Sequence, residues 1–140
     1  MAAAIDAAHA RHGYSIHINC HSMPAVASEF ATAFPGLVHA DFVIGDRDGT
    51  TADPRLSHRI CSFLRARGYD VAYNHPYKGV ELVRRYGDPS RDRHGIQVEV
   101  NRRLYMDETT LEPSAGFDKL HADLRAMVTM LLDTDPRTLG

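Results

Sequence analysis

Two short segments of the 140-residue sequence alternate apolar residues with side chains that can bind a metal or move a proton. These polar positions are His17, Asn19, His21, Gln97, Glu99 and Asn101. Histidine is the commonest metal ligand and titrates near neutral pH, while a carboxylate can serve as a general base. If the two polar faces line one cleft, they form a functional site. The alternative for 95–101 is an edge strand whose polar face lies in water.

The histidines near this pattern differ in what they are expected to do. His17 lies four residues before His21 on the same predicted strand face. An extended chain separates such positions by roughly 13 Å, too far to share one metal ion, so we expect His17 to pack or to support the site. Strand alternation points Cys20 away from His21, and we expect Cys20 in the core.

Four motifs stand in this order along the chain: INCHS at 18–22, GDRDG at 45–49, the segment from NHPYKG to Arg85-Tyr86-Gly87, and QVEVNRRLYMDE at 97–108. Together they resemble the C-terminal part of the N-formylglutamate amidohydrolases, a family of zinc-dependent amide hydrolases. The resemblance extends from about Tyr14 to Leu132. One departure is Val80, which stands where the family has a second glycine and leaves the backbone geometry of this loop open.

The resemblance implies a reaction and roles for individual residues. The family hydrolyses N-formyl-L-glutamate to formate and L-glutamate, a reaction of histidine degradation, although another N-acyl amino acid could be the substrate. By match, His21 is a zinc ligand and Glu99 the catalytic carboxylate, which takes a proton from an activated water and passes it to the leaving nitrogen.

A substrate with two carboxylates needs cationic recognition, and arginine binds carboxylates in a bidentate manner. Arg85 is the best candidate for this substrate-binding role, with Asn74 as a neutral donor and Arg47 as a weaker candidate. The alternative for Arg85 is an ordinary surface arginine.

The zinc site implied by the resemblance is incomplete in this sequence. The family's other ligands, a histidine in a Pro-His-Ser-Gly-like element and an acidic residue after it, are expected upstream, and the sequence has no such element. The alternative to an active enzyme is therefore an inactive truncated homologue, or a half-site fragment that needs a partner chain. Missing sheet neighbours would expose an apolar edge, which predicts homo-oligomers.

Composition narrows the possible partners and the location. A formal net charge of −2 gives no electrostatic reason to bind nucleic acid or an anionic membrane. No stretch of about 18 apolar residues occurs, and the alanine-rich start lacks the apolar core of a signal peptide. We therefore expect a cytoplasmic protein that acts on a small molecule.

The elements that position these residues alternate between strands and helices. Period-two patterns predict strands at 14–20, 41–45, 69–73 and 95–101, and helical patterns predict helices at 2–12, 54–67 and in the C-terminal segment, with 80–87 ambiguous. The final helix should bury Phe117, Leu120, Leu124, Met127, Val128 and Leu131. We predict a single α/β domain over 1–140, a mixed sheet with helices on its faces. The resemblance implies a zinc-carboxypeptidase/phosphorylase-hydrolase-like fold truncated at the N-terminus.

Overall fold

The computed structural model describes residues 1–139 and contains a four-stranded sheet with helices on both faces. The elements are helix α1 (Ala2–His12), strand β1 (Ser15–Met23), strand β2 (Phe42–Gly45), helix α2 (Pro54–Arg65), strand β3 (Val71–Tyr73), helix α3 (Glu81–Tyr86), strand β4 (Arg93–Asn101) and helix α4 (Phe117–Leu132). Short 3-10 helices lie between α3 and β4 at Pro89–Arg91, between β4 and α4 at Arg102–Leu104, and after α4 at Pro136–Thr138. The α/β architecture predicted from the alternating patterns is confirmed.

The strand order is β1-β4-β2-β3. β1 runs parallel to β4, β2 runs antiparallel to β4, and β3 runs parallel to β2, so the sheet is mixed as predicted. β4 is an interior strand, and the alternative of an edge strand with a solvated polar face is wrong. Gln97, Glu99 and Asn101 are 1%, 6% and 0% exposed. Polar side chains buried this deeply need partners, and their partners define the site.

Local sequence signals explain where the helices begin and end. Gly13 ends α1 in the left-handed conformation with φ 77°, which glycine adopts without steric cost. Asp53 caps α2 by accepting a hydrogen bond from the Arg55 amide at 2.8 Å, and Pro54 fills the first helical position. α2 ends at Arg65, slightly before the predicted end. The ambiguous segment forms α3, which lies on the polar face of the sheet with Val83 packed against Gly95.

The hydrophobic core lies on the opposite face of the sheet. Leu56, Ile60 and Leu64 of α2 are fully buried there against Phe42 and Ile44 of β2. Burying one such aliphatic side chain stabilises the fold by about 1.5–3 kcal/mol, so this packing fixes the sheet on which the polar face is built.

The expectation that Cys20 lies in the core is wrong, because Cys20 is exposed. β1 is an edge strand, and a groove remains open between its Ile16 and Ile18 and helix α4. α4 buries Leu120, Met127 and Leu131 as predicted. Two other members of its predicted apolar face, Phe117 and Val128, are 46% and 49% exposed.

Candidate active site

The polar faces of β1 and β4 meet in one cleft. The parallel register places His21 opposite Glu99 and Asn19 opposite Gln97, so the two predicted motifs are brought together. His21 Nδ1 lies 3.4 Å from Glu99 Oε1. The sheet therefore places His21, the predicted metal ligand, next to Glu99, the predicted base.

Asn19 fixes the orientation of the His21 ring. The Asn19 side-chain amide donates to His21 Nε2 at 3.1 Å, so Nε2 carries the lone pair and the protonated Nδ1 faces Glu99. The His21 side chain remains 37% exposed, whereas that of Glu99 is only 8% exposed. The imidazole thus stands at the mouth of the cleft with the carboxylate beneath it.

Burial shapes the chemistry of Glu99. Loss of hydration disfavours the charged form and raises the pKa of Glu99, although His21, the hydrogen bond from Gln97, His39 and Arg102 oppose this shift. Gln97 Nε2 donates to Glu99 Oε1 at 2.8 Å. A carboxylate whose pKa is raised towards neutrality is better suited to accept a proton from water and give it up again.

Gln97 also ties a loop to the site. Its Oε1 accepts the Val80 amide at 2.9 Å and the Asn19 side-chain amide at 3.3 Å. Val80 has φ −101° and ψ −166°, extended backbone that a β-branched residue adopts readily. The departure from the family's second glycine therefore leaves this loop with ordinary backbone geometry.

The loop that follows β3 interlocks with the loop that follows β2. A side chain at Gly45 would come within 2.7 Å of the Lys78 carbonyl, so only glycine fits this close approach. Arg47 donates from Nη1 to the Gly79 carbonyl at 2.9 Å, and its amide donates to the Lys78 carbonyl at 2.8 Å. Arg47, predicted as a substrate contact, holds the two loops together in this structure.

Asn74 is likewise engaged within the protein. Its side-chain carbonyl accepts the Asp46 amide at 3.0 Å, and its side-chain amide donates to Asp46 Oδ1 at 2.8 Å. Burial opposes ionisation of Asp46, but hydrogen bonds from Tyr73, Asn74 and Gly49 outweigh it and lower the pKa of Asp46. A substrate contact from Asn74 would require these bonds to be given up, so that role stays a prediction.

Arg85 lies exposed on α3, with its guanidinium 5.7 Å from the centre of the Tyr86 ring. Tyr86 in turn packs edge-to-face on His17, at 6.3 Å between ring centres. The neighbouring Arg84 forms a bidentate pair with Glu81 at 2.9 Å. Arg85 is therefore available to an anionic ligand, and its substrate role stays a prediction.

Two residues at the site, His39 and Tyr77, were not predicted from the sequence patterns. His39 is 2% exposed, and its Nε2 accepts a hydrogen bond from the Tyr77 hydroxyl at 3.1 Å. The Asn101 side chain donates to the backbone carbonyls of His39 and Ala40 at 3.3 Å and 3.0 Å, which holds His39 at the end of β4 beside Glu99. His39 follows no motif, and only the antiparallel pairing of β2 with β4 brings it here.

Across residues 1–139, no group of three or more histidine, cysteine, aspartate or glutamate side chains is placed to hold a metal ion. In the same part of the chain, no helix is long and apolar enough to cross a membrane. The fold and the cleft thus define an α/β protein in which a buried carboxylate faces an imidazole on the polar side of a mixed sheet.

Comparison with known proteins identifies the family. The sequence model of the family described as N-formylglutamate amidohydrolase matches residues 1–106. The N-formylglutamate deformylase of Pseudomonas putida is 30% identical over 131 residues, which are 91% of this chain and 46% of that protein. The deformylase of Pseudomonas aeruginosa is 32% identical over 126 residues, covering 89% and 45%.

The fold agrees with this assignment. The crystal structure of N-formylglutamate amidohydrolase from Ralstonia eutropha matches with a TM-score of 0.87 and 41% identity, over 94% of this chain and 48% of that one. The chain belongs to the N-formylglutamate amidohydrolase family. It spans about half the length of the relatives that it matches.

Proposed function

We propose that this chain takes part in the hydrolysis of N-formyl-L-glutamate, or of a related N-acyl amino acid, to the free acid and the amino acid. The observation that carries the proposal is the buried Glu99 carboxylate 3.4 Å from the His21 imidazole on a polar sheet face. The names of the relatives support the same reaction class.

Glu99 is the proposed general base. It accepts a proton from the attacking water and returns it to the nitrogen of the collapsing tetrahedral intermediate, so one carboxylate serves both proton transfers. Gln97 orients the carboxylate through the 2.8 Å hydrogen bond, and burial excludes competing water from it. The raised pKa of Glu99 favours this cycle, since a strongly acidic carboxylate would be a poor acceptor.

Zinc is the proposed cofactor, with His21 as one ligand through Nε2, which would exchange the hydrogen bond from Asn19 for the metal. A bound zinc ion supplies a water of lowered pKa and polarises the amide carbonyl. Among the metal-binding side chains of this cleft, His21 and Glu99 approach each other directly, at 3.4 Å. A catalytic zinc site uses three protein ligands, so the residues present in 1–139 do not form one by themselves.

Arg85 is the proposed partner of a substrate carboxylate. It lies exposed on α3, which contacts both β1 and β4 on the face that carries Glu99. Arg47 and Asn74 stay secondary candidates, because their polar groups bind Gly79 and Asp46.

A second candidate is an inactive homologue, or a half-site that needs a partner chain. It is favoured by the donor set at His21, which within residues 1–139 falls short of a catalytic zinc site. Self-association through the open edge of β1 belongs to this candidate, because Cys20 and Ser22 are exposed there. A zinc-carboxypeptidase-like fold and a cytoplasmic location are further proposals.

The deciding experiment measures the zinc content of the purified protein together with turnover of N-formyl-L-glutamate. Stoichiometric zinc and formate release support the enzyme. His21→Ala and Glu99→Gln should then abolish turnover, while the exposed-site controls His12→Ala and Glu29→Gln keep it. Little bound metal and no turnover after zinc addition would favour the half-site candidate, and normal turnover by Glu99→Gln would remove Glu99 from the mechanism.

A further inference from the structure

The pair formed by Tyr77 and His39 has no part in the proton transfers assigned to Glu99. The Tyr77 hydroxyl donates to His39 Nε2 at 3.1 Å, and the two rings lie 5.4 Å apart at 45°. A tyrosine and a histidine joined beside a buried carboxylate are chemically suited to hydrogen-bond a reacting carbonyl.

The protein fixes the direction of this hydrogen bond. The Pro24 carbonyl can only accept, so His39 Nδ1 carries a proton and donates to it at 2.7 Å, and in this tautomer Nε2 is the acceptor. The backbone amide of His39 donates to the Ala25 carbonyl at 3.0 Å. His39 is thus held from both its ring and its backbone, and Tyr77 must be the donor.

The pair lies within the electrostatic reach of Glu99. Burial raises the pKa of Tyr77, and the negative charge of Glu99 raises it further. Tyr77 belongs to the loop whose Val80 amide is bound by Gln97, the neighbour of Glu99 on β4. The Asn101 side chain, two residues after Glu99 on β4, donates to the His39 carbonyl at 3.3 Å, so the Tyr77–His39 pair lies at the end of β4 that carries Glu99.

We propose that Tyr77 contacts the scissile amide, donating a hydrogen bond to the carbonyl oxygen as it gains negative charge, and that His39 is the positioning residue of this phenol. The inference rests on the proposed amide hydrolysis. Tyr77 keeps its proton throughout and only exchanges its acceptor, from His39 Nε2 to the substrate oxygen. Glu99 still carries the proton from water to nitrogen.

Tyr77→Phe, in the zinc-supplemented protein, tests the contact. Loss of one oxyanion-stabilising donor typically lowers kcat by about 100- to 1,000-fold, and we expect this loss with KM changed by less than about threefold. Tyr14→Phe is the matched control, because Tyr14 precedes β1 and contacts Arg137 instead. A Tyr77→Phe kcat within about threefold of the wild type would overturn the proposal.

Two substitutions separate positioning by His39 from a merely structural role. His39→Gln keeps an acceptor near the place of Nε2, whereas His39→Asn keeps a donor near Nδ1 and loses that acceptor. We expect His39→Gln to retain kcat within about threefold and His39→Asn to lose about tenfold or more. Equal losses in both variants would overturn the positioning role of His39.

A spectroscopic measurement tests the Tyr77 contact without requiring turnover. In protein with ¹⁵N-labelled histidine, N-formyl-L-glutamate should shift the His39 Nε2 resonance, because Tyr77 leaves it for the substrate, and Tyr77→Phe should abolish this shift. If the wild type shows no turnover but the shift occurs, the proposed reaction fails while the Tyr77 contact stands. If saturating ligand leaves the resonance unmoved, the Tyr77 contact is refuted.

Discussion

Gln97 is the side chain on which the polar cleft depends most, and Gln97→Met is a sharp test of that dependence. The substitution keeps the approximate volume and the unbranched shape, so little packing is lost. It removes three hydrogen bonds, to Glu99 at 2.8 Å, from the Val80 amide at 2.9 Å and from Asn19 at 3.3 Å. Each of these bonds connects a different element of the site.

The expected loss follows from the kind of bond that is removed. A neutral hydrogen bond contributes about 0.5–1.5 kcal/mol net, and one to a charged group about 1.5–3 kcal/mol. Asn19 keeps its bond to His21, and Glu99 keeps His21 at 3.4 Å, so part of the loss is recovered. We expect Gln97→Met to lower the free energy of unfolding by about 2–4 kcal/mol.

Urea denaturation followed by circular dichroism measures this change, and thermal melting should show Tm lowered by roughly 6–12 °C. Val80→Gly is the matched control, because it keeps the amide that binds Gln97 and removes only a half-exposed side chain, at a cost of about 1 kcal/mol. A loss below about 0.5 kcal/mol in Gln97→Met would refute the view that this side chain organises the cleft.

Three further predictions concern the charge of Glu99, the charge of Arg85 and the open edge of strand β1. Because the pKa of Glu99 is raised on folding, the folded carboxyl binds a proton more tightly, and the associated stability is lost as pH rises through the folded pKa. Glu99→Gln should therefore be more stable than the wild type in urea at about pH 8, and this advantage should vanish near about pH 4. Equal stability of the two proteins at both pH values would contradict the raised pKa. Arg85→Ala should raise KM for N-formyl-L-glutamate by about 10- to 100-fold, while Arg84→Ala, which loses only an exposed pair with Glu81, should leave KM unchanged; the reverse pattern would transfer the substrate role to Arg84. Cys20→Lys should abolish any self-association seen by sedimentation, since Cys20 is exposed on β1 and a charge on an edge strand blocks pairing, and a wild type that stays monomeric at all concentrations would rule out the proposed contact.

The period-two patterns could predict both functional strands because alternation turns the histidines and the carboxylate to one side of each strand, where they can share a cleft. His21 and Glu99 could be paired in advance through the resemblance, and the observed register sets them directly opposite. The same patterns could not say that β1 would be an edge strand, because alternation gives the two faces of a strand and not its neighbours. That gap explains the wrong expectation for Cys20, which lies on the apolar side of β1 yet is exposed.

His39 and Tyr77 illustrate a different limit. Sequence spacing relates residues that lie on one element, whereas His39 precedes β2 and reaches the cleft only because β2 runs antiparallel to β4. The N-terminal end of β2 therefore meets the C-terminal end of β4, where Glu99 lies. In a wholly parallel sheet that end of β2 would lie at the opposite edge, and His39 would be far from the carboxylate. The position of Tyr77 depends in turn on the interlocked loops around Gly45, so the second half of the cleft is a product of topology and could be found only in the folded chain.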